Sequence, residues 1–228
     1  MATLTVLRNA VYSKLGMDST SSSNDETLAT SWLNEGVREV LLRTHCYVGE
    51  TTISLSANTW KYTLDASILA MLYVTDDENR PVEVIQATDL LDLRRASTST
   101  DAVPLRIAVL GSNKLLVWPT PTASATLDVL YVPKPTEMST GSHDPSNATY
   151  GGVPVEFHKA IELWALAQGS DYEHEGRTQS GVKYMQEFEL YVKGVIRPAV
   201  NRKAGRLGRV KVGRRPLAAT GNGTYPRY

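Results

Sequence analysis

The hydrophobic positions change period along the chain. Leu4, Leu7, Val11 and Leu15 recur at helical spacing, with Thr3 placed as a cap and Gly16 as a stop. Asp18 to Asn24 reads as a Ser-rich linker. Ser23 and Glu26 then stand as a capping box for a second helix whose stripe is Leu28, Trp32, Val37, Val40 and Leu41, ending near His45. After Tyr47 the period drops to two. Ile53 and Leu55, then Trp60, Tyr62 and Leu64, alternate with polar residues across Ala57-Asn58, which predicts a hairpin. Ile68 to Thr75 is an apolar strand closed by Asp76-Asp77-Glu78-Asn79, and Val82 to Ile85 is its expected partner. Ala87 to Arg95 predicts a short helix, Arg106 to Leu110 and Leu115 to Trp118 a second hairpin, and Thr126 to Val132 a last strand stopped by Pro133 and Pro135. The middle of the chain is thus expected to be a small antiparallel β-module of about five to seven strands.

A loop rich in Ser, Thr, Pro and Gly runs from Thr136 to Gly152. Pro154 occupies a first-turn position for a third helix carrying Phe157, Ile161, Trp164 and Ala165. A fourth carries Tyr184, Met185, Phe188, Tyr191, Val192, Val195 and Ile196, and Pro198 should end or kink it. Helical segments therefore bracket the strands. The expected fold is α+β: a helical bundle from both ends of the chain, an inserted antiparallel β-module, and an extended C-terminal arm. The expected division is 1–47 (helical hairpin), 48–135 (β-module), 136–200 (loop and C-terminal helices) and 201–228 (arm).

At 228 residues and 42% apolar content the chain can bury a core, so global disorder is not expected. No run approaches a membrane span, and the first fifteen residues do not read as a secretory signal. The single cysteine, Cys46, cannot form an internal disulfide and reads as a small half-buried apolar residue in a reducing compartment.

Charge changes the picture. The 24 basic and 24 acidic residues cancel overall, but residues 1–189 hold all 24 acids and 14 bases, a net −10, whereas residues 190–228 hold 10 bases and no acid. Such asymmetry marks an interaction segment that seeks negative charge. Its densest part, Arg202 to Pro216, carries Arg202, Lys203, Arg206, Arg209, Lys211, Arg214 and Arg215, with Leu207, Val210 and Val212 interspersed. Three glycines and the closing proline argue against a helix there and for an extended arm. Three fates are open to it. The arm can neutralise phosphates without sequence preference. It can lie on an acidic protein surface, its arginines paired with carboxylates and its apolar residues in small pockets or in a strand added to a sheet. Or it can stay solvated.

Catalytic chemistry finds little support. His158 and Glu162 stand four apart, a ligand spacing with no third partner, and read as a surface helix pair. His174, within Asp171 to Glu175, reads as part of a solvated charged turn. No G-x-S-x-G, P-loop or H-E-x-x-H occurs. Trp32, Trp60, Trp118 and Trp164 fall on apolar faces and read as packing residues. No catalytic residue, metal or cofactor is expected.

Five segments in order carry a family resemblance: Leu28 to Thr44 (LATSWLNEGVREVLLRT), Trp60 to Val74 (WKYTLDASILAMLYV), Leu110 to Pro121 (LGSNKLLVWPTP), Tyr150 to Ala167 (YGGVPVEFHKAIELWALA) and the arm from Arg202 to Pro216. Together they resemble the head–tail adaptor (connector or neck) proteins of tailed bacteriophages, in particular the longer adaptors with a β-module inside the bundle. The resemblance implies a non-enzymatic virion protein that assembles in the host cytoplasm. It implies a ring, usually of twelve copies, under the portal ring, with the C-terminal segment gripping the portal and a tail or tail-completion protein on the other side. It also implies that the bundle lines a channel touched non-specifically by DNA during genome ejection. The competing readings are a nucleic-acid-binding protein acting through the arm, a hydrolase built on the β-module, and a tail-completion or stopper protein.

Overall fold

In the computed structural model the described residues are 2–17, 23–97, 99–101, 103–111, 113–173 and 179–205. Helix α1 (Leu4–Leu15) buries Leu4, Leu7, Val11 and Tyr12 and stops at Gly16, whose φ of 74° is a conformation glycine adopts without strain. Thr3 takes the N-cap position, but its side chain makes no capping bond. The first amides are satisfied from far along the chain instead: Leu4 N donates to His143 O (2.7 Å) and Thr5 N to Gly141 O (3.2 Å). A distant loop thus replaces the local cap that the sequence suggested.

Helix α2 (Ser23–Thr44) turns Ala29, Trp32, Leu33, Val37, Val40 and Leu41 inward. Ser23 and Asn24 already belong to the helix, and the expected Ser23 side-chain cap lies outside the described residues. Glu26 pairs with Arg8 of α1. Past the sheets, Pro154 opens a 3-10 turn, Val155–Phe157, that feeds α4 (His158–Glu173). Helices α2 and α4 approach closely at Gly36, where an added Cβ would meet Ile161 O at 3.0 Å. Helix α5 (Gln179–Tyr191) follows, then a π turn, Val192–Ile196, then α6 (Arg197–Gly205). Phe188, Val192 and Ile196 complete a core that draws on α1, α2, α4 and α5.

Pro198 does not end this last helix. A proline removes an N–H and crowds the carbonyl of the residue four earlier, here Gly194. The π turn lies over that residue and widens the spiral where the clash would fall, so the helix continues to Gly205. The backbone at 201–205 is therefore helical, which corrects the expected start of the extended arm at residue 201.

Between the helical halves the described residues form nine strands: β1 (Gly49–Leu55), β2 (Lys61–Thr63), β3 (Ile68–Asp76), β4 (Glu83–Val84), β5 (Thr100–Asp101), β6 (Arg106–Leu110), β7 (Lys114–Trp118), β8 (Thr120–Pro121) and β9 (Ala125–Pro133), with α3 (Ala87–Ala96) after β4. One sheet has the order β1-β9-β3, a second β2-β7-β6-β4, and β5 pairs with β8. The β6–β7 hairpin forms as expected. Two other expected pairings do not. The turn at Ala57-Asn58 is present, but it hands β1 to β9 and β2 to β7, so the strands on either side of it enter different sheets. Val82 N still donates to Val74 O (2.9 Å), but the chain then leaves β3, and Glu83–Val84 runs parallel to β6. The module is consequently mixed rather than purely antiparallel, since β4–β6 and β5–β8 are parallel.

Burial explains the choice. Ile107, Leu115 and Val117 face the first sheet across a shared core, while Ala108 and Leu116 pack on Leu90 of α3 behind. Covered on both faces, β6 and β7 read as continuous apolar runs rather than alternating ones. Register shifts in β3, between Ile68 and Ala70 and between Met71 and Tyr73, turn Leu69, Ala70 and Leu72 toward the helical core and leave Val74 in the sheet core. The bulged strand thereby joins module to bundle.

The turn after β3 is held by a buried carboxylate. Asp76 accepts from Glu78 N (3.0 Å), Arg80 N (2.7 Å) and Arg80 Nε (2.6 Å). Burial alone would raise its pKa, but the donors from Arg80 and Glu78 outweigh it and hold the carboxyl below its ordinary value. Its stabilisation is therefore present above the unfolded value of about 3.9 and lost as pH falls through the lower folded value. Asp76→Ala should cost roughly 1.5–3 kcal/mol at neutral pH. In urea titrations the gap to the parent protein should narrow below pH ~4; a gap that persists at full size in acid would show that the carboxylate charge is not what holds the turn.

Candidate functional site

The residues that lead into the basic segment are anchored in the bundle. Arg43 of α2 bonds Glu39 one turn back (2.8 Å) and pairs with Glu189 of α5, and its guanidinium lies over the rings of Phe188 (5.1 Å) and Trp164 (5.6 Å). Lys193 reaches the same Glu189 (3.5 Å), and Arg197 Nε donates to Arg43 O (3.2 Å). On the other side Tyr191 donates its hydroxyl to Glu156 O (2.8 Å). The last helix is thereby fixed at its middle, and among the described residues Ala199 and Val200 are the last packed on the core. Beyond them come the expected arm residues. Arg202 and Lys203 sit on helical backbone, while Arg206, Leu207, Arg209, Val210, Lys211, Val212, Arg214 and Arg215 lie outside the described residues.

The loop from Thr136 to Gly152, unread by periodicity, forms a second structured surface. Asn34 of α2 bonds Met138 in both directions, Nδ2 to O (3.1 Å) and Oδ1 from N (2.9 Å), and Met138 is buried. His143 stacks on Tyr150 with ring centroids 4.1 Å apart, and its Nδ1 accepts from Ser139 N (3.1 Å). Between this loop, α1 and α2 runs an open groove of about 620 Å³. Its charged residues are largely matched, Arg8 to Glu26 and Arg38 to Glu137, so it offers no converging set of reactive groups. Asn34 was the one local signal: a polar residue inside an apolar stripe needs a partner.

The expected surface pair His158 and Glu162 is neither on the surface nor a pair. His158 is 4% exposed and its Nε2 lies 3.0 Å from Val153 O, closing the loop onto the first turn of α4. Glu162 turns instead to Lys14 of α1 and Lys159 (3.1 Å). Burial pushes its carboxyl up, but the two lysines outweigh that and hold it below the ordinary glutamate value. Spacing placed both residues on one helix, but not the elements that cover it. Among the described residues no three His, Cys, Asp or Glu side chains converge as a metal site. His174 lies outside the described residues.

Burial also holds the His158 pKa below its ordinary value. The unfolded chain therefore binds more protons than the fold just below pH ~6.5, and stability falls as pH drops from there toward the folded value. Urea midpoints should decline between neutral and mildly acid pH, and His158→Gln should flatten that slope. An unchanged slope in the variant would assign the effect elsewhere.

The body around the anchored helix is acidic, and no described helix is long and apolar enough to cross a membrane. What the arrangement provides is surfaces: a bundle, a β-module and a basic extension. No curated protein matches the chain. The family described as SU10 adaptor protein matches residues 2–213, spanning bundle, β-module and most of the basic segment, so the chain belongs to this family of phage head–tail adaptors, structural components of the virion.

Proposed function

We propose that the protein is a non-enzymatic subunit of a homomeric ring, of about twelve copies, bound beneath the portal ring, and that the basic arm grips the portal. The observation that carries this is the charge split, −10 over residues 1–189 against 10 bases and no acid after them, in a chain whose family match reaches residue 213. Arginines spaced among Leu207, Val210 and Val212 suit an acidic protein surface with small apolar recesses. The four parts then divide the work. Residues 1–47 and 136–205 build the bundle beside the DNA channel, residues 48–135 supply an unlike second surface for the neighbour, and residues 206–228 reach the portal. A ring closed by rotation needs two different faces on each subunit, and bundle and module provide them. A tail or tail-completion protein takes the opposite side of the ring. An acidic body beside the channel lets DNA pass without sticking, its contacts non-specific. Ordering the arm costs entropy that is recovered only on docking, so the protein alone is a monomer or weak oligomer that assembles in the host cytoplasm when it meets the portal.

Native mass spectrometry of this protein with the portal ring of the same particle tests the reading. About one copy bound per portal subunit is the expected result. No binding to portal together with tight, salt-sensitive binding to duplex DNA would give the arm a nucleic-acid role instead.

A further inference from the structure

Strand β1 forms one border of its sheet and, among the described residues, pairs with β9 alone. Border strands usually carry a protective device: extreme shortness, a bulge, a lysine or a proline. The other borders have one. Strands β2 and β4 have three and two residues, and β3 has two register shifts. Strand β1 has none. Its seven residues, Gly-Glu-Thr-Thr-Ile-Ser-Leu, include neither lysine nor proline, and its register runs unbroken from Gly49 opposite Tyr131 to Leu55 opposite Ala125. It is a long, regular template with one side unfilled by any described strand.

The two faces at this border differ in chemistry. Outward on β1 and β9 lie Glu50, Thr52, Ser54, Thr126, Asp128 and Leu130, which include two carboxylates and no cation. Inward, Ile53 is only half-buried against the sheet core, as an apolar residue is when no strand covers its flank. One segment of this chain has the complementary pattern. In Leu207-Gly208-Arg209-Val210-Lys211-Val212 the cations fall on one parity and the valines on the other.

We propose that residues 207–212 of a second copy add as a strand to the open border of β1. Arg209 and Lys211 then lie on the face of Glu50 and Asp128, while Val210 and Val212 cover Ile53. The donor is another copy because an unprotected border strand is a template for pairing with a further chain. The inference goes beyond portal binding: it gives the same segment a partner when no portal is present, and for any one arm the two partners are alternatives.

Amide hydrogen exchange on the full chain, without portal, tests this. Alternate amides of β1 should exchange about tenfold more slowly in concentrated than in dilute protein, with β9 amides as the internal reference. The slowing should vanish in Arg209→Glu/Lys211→Glu, which removes the charge match, and in Val210→Pro, which removes a strand N–H without altering charge. Circular dichroism should show both variants folded, since neither change touches the described core. Protection that is absent, or independent of concentration, overturns the proposal, the latter by placing the arm on its own chain. Protection retained in Val210→Pro also overturns it, by reducing the contact to charge alone. Portal binding is measured separately, so either reading can fail without the other.

Discussion

Removing residues 206–228 should abolish stoichiometric binding to the portal ring while leaving the far-ultraviolet circular dichroism and the unfolding midpoint within error of the full chain. The cut belongs at 206 because the helix runs to Gly205 and its anchors, Arg43, Glu189 and Arg197, all lie before that point. The described core closes at Ala199 and Val200, so a cut at 206 removes no residue of that core. The binding loss should be large. If four of the arm's cations each contribute about 1 kcal/mol net on a partner carboxylate, their removal weakens binding roughly a thousandfold. Replacing those cations by glutamine should reproduce most of the loss, and raising salt should mimic it in part. A truncated protein that still binds portal one-to-one would place the grip in the bundle or the β-module. A truncated protein that unfolds would instead make the arm part of the core.

Phe188→Ala should be among the most damaging single core substitutions, at about 3–5 kcal/mol. Phe188 is fully buried where α2, α4 and α5 meet, edge-on to Trp164 with centroids 5.4 Å apart and beneath the Arg43 guanidinium at 5.1 Å. Truncation removes the ring from all three contacts and leaves a void that the helices cannot close without shifting Arg43 and its two glutamates. For a chain of this size each kcal/mol lowers Tm by about 2–4 °C, so the midpoint should fall by roughly 6–20 °C. Leu190→Ala, two residues on, is the control. Leu190 is 70% exposed, and its loss should change stability by no more than about 0.5 kcal/mol. Equal effects at the two positions would mean that α5 does not pack as described. Because Phe188 fixes the helix from which the arm departs, Phe188→Ala should also weaken portal binding at temperatures near its midpoint.

Local features of the fold are legible in the sequence. Helical stripes place α1, α2, α4 and the long last helix, because a 3.6-residue period in apolar positions directly reports the face that must be buried. The β6–β7 hairpin is legible because its two strands are joined by a tight turn, and the α+β class follows from the switch of period near Tyr47. The family resemblance likewise rests on ordered local segments, and the match over residues 2–213 bears it out.

Partners distant in sequence are not legible. A period of two marks a strand but not its neighbour, so the pattern points β1 to the strand across the nearest turn rather than to β9, more than seventy residues away. Burial from two sides hides the alternation in β6 and β7. The spacing of His158 and Glu162 says that they share a helix, but only the arrival of the 136–152 loop and of Lys14 decides that both are covered. Thr3 marks a helix start, but carbonyls of His143 and Gly141 supply its cap. The proline in the last helix carries a local cost, which a π turn absorbs in place. By itself the sequence determined the elements, the class, the family and the separation of an acidic body from a basic extension, because each is a property of neighbours along the chain. Strand order, the loop's hold on α1 and α2, and the open border at β1 were decided only in three dimensions, because each depends on which surfaces exclude water together.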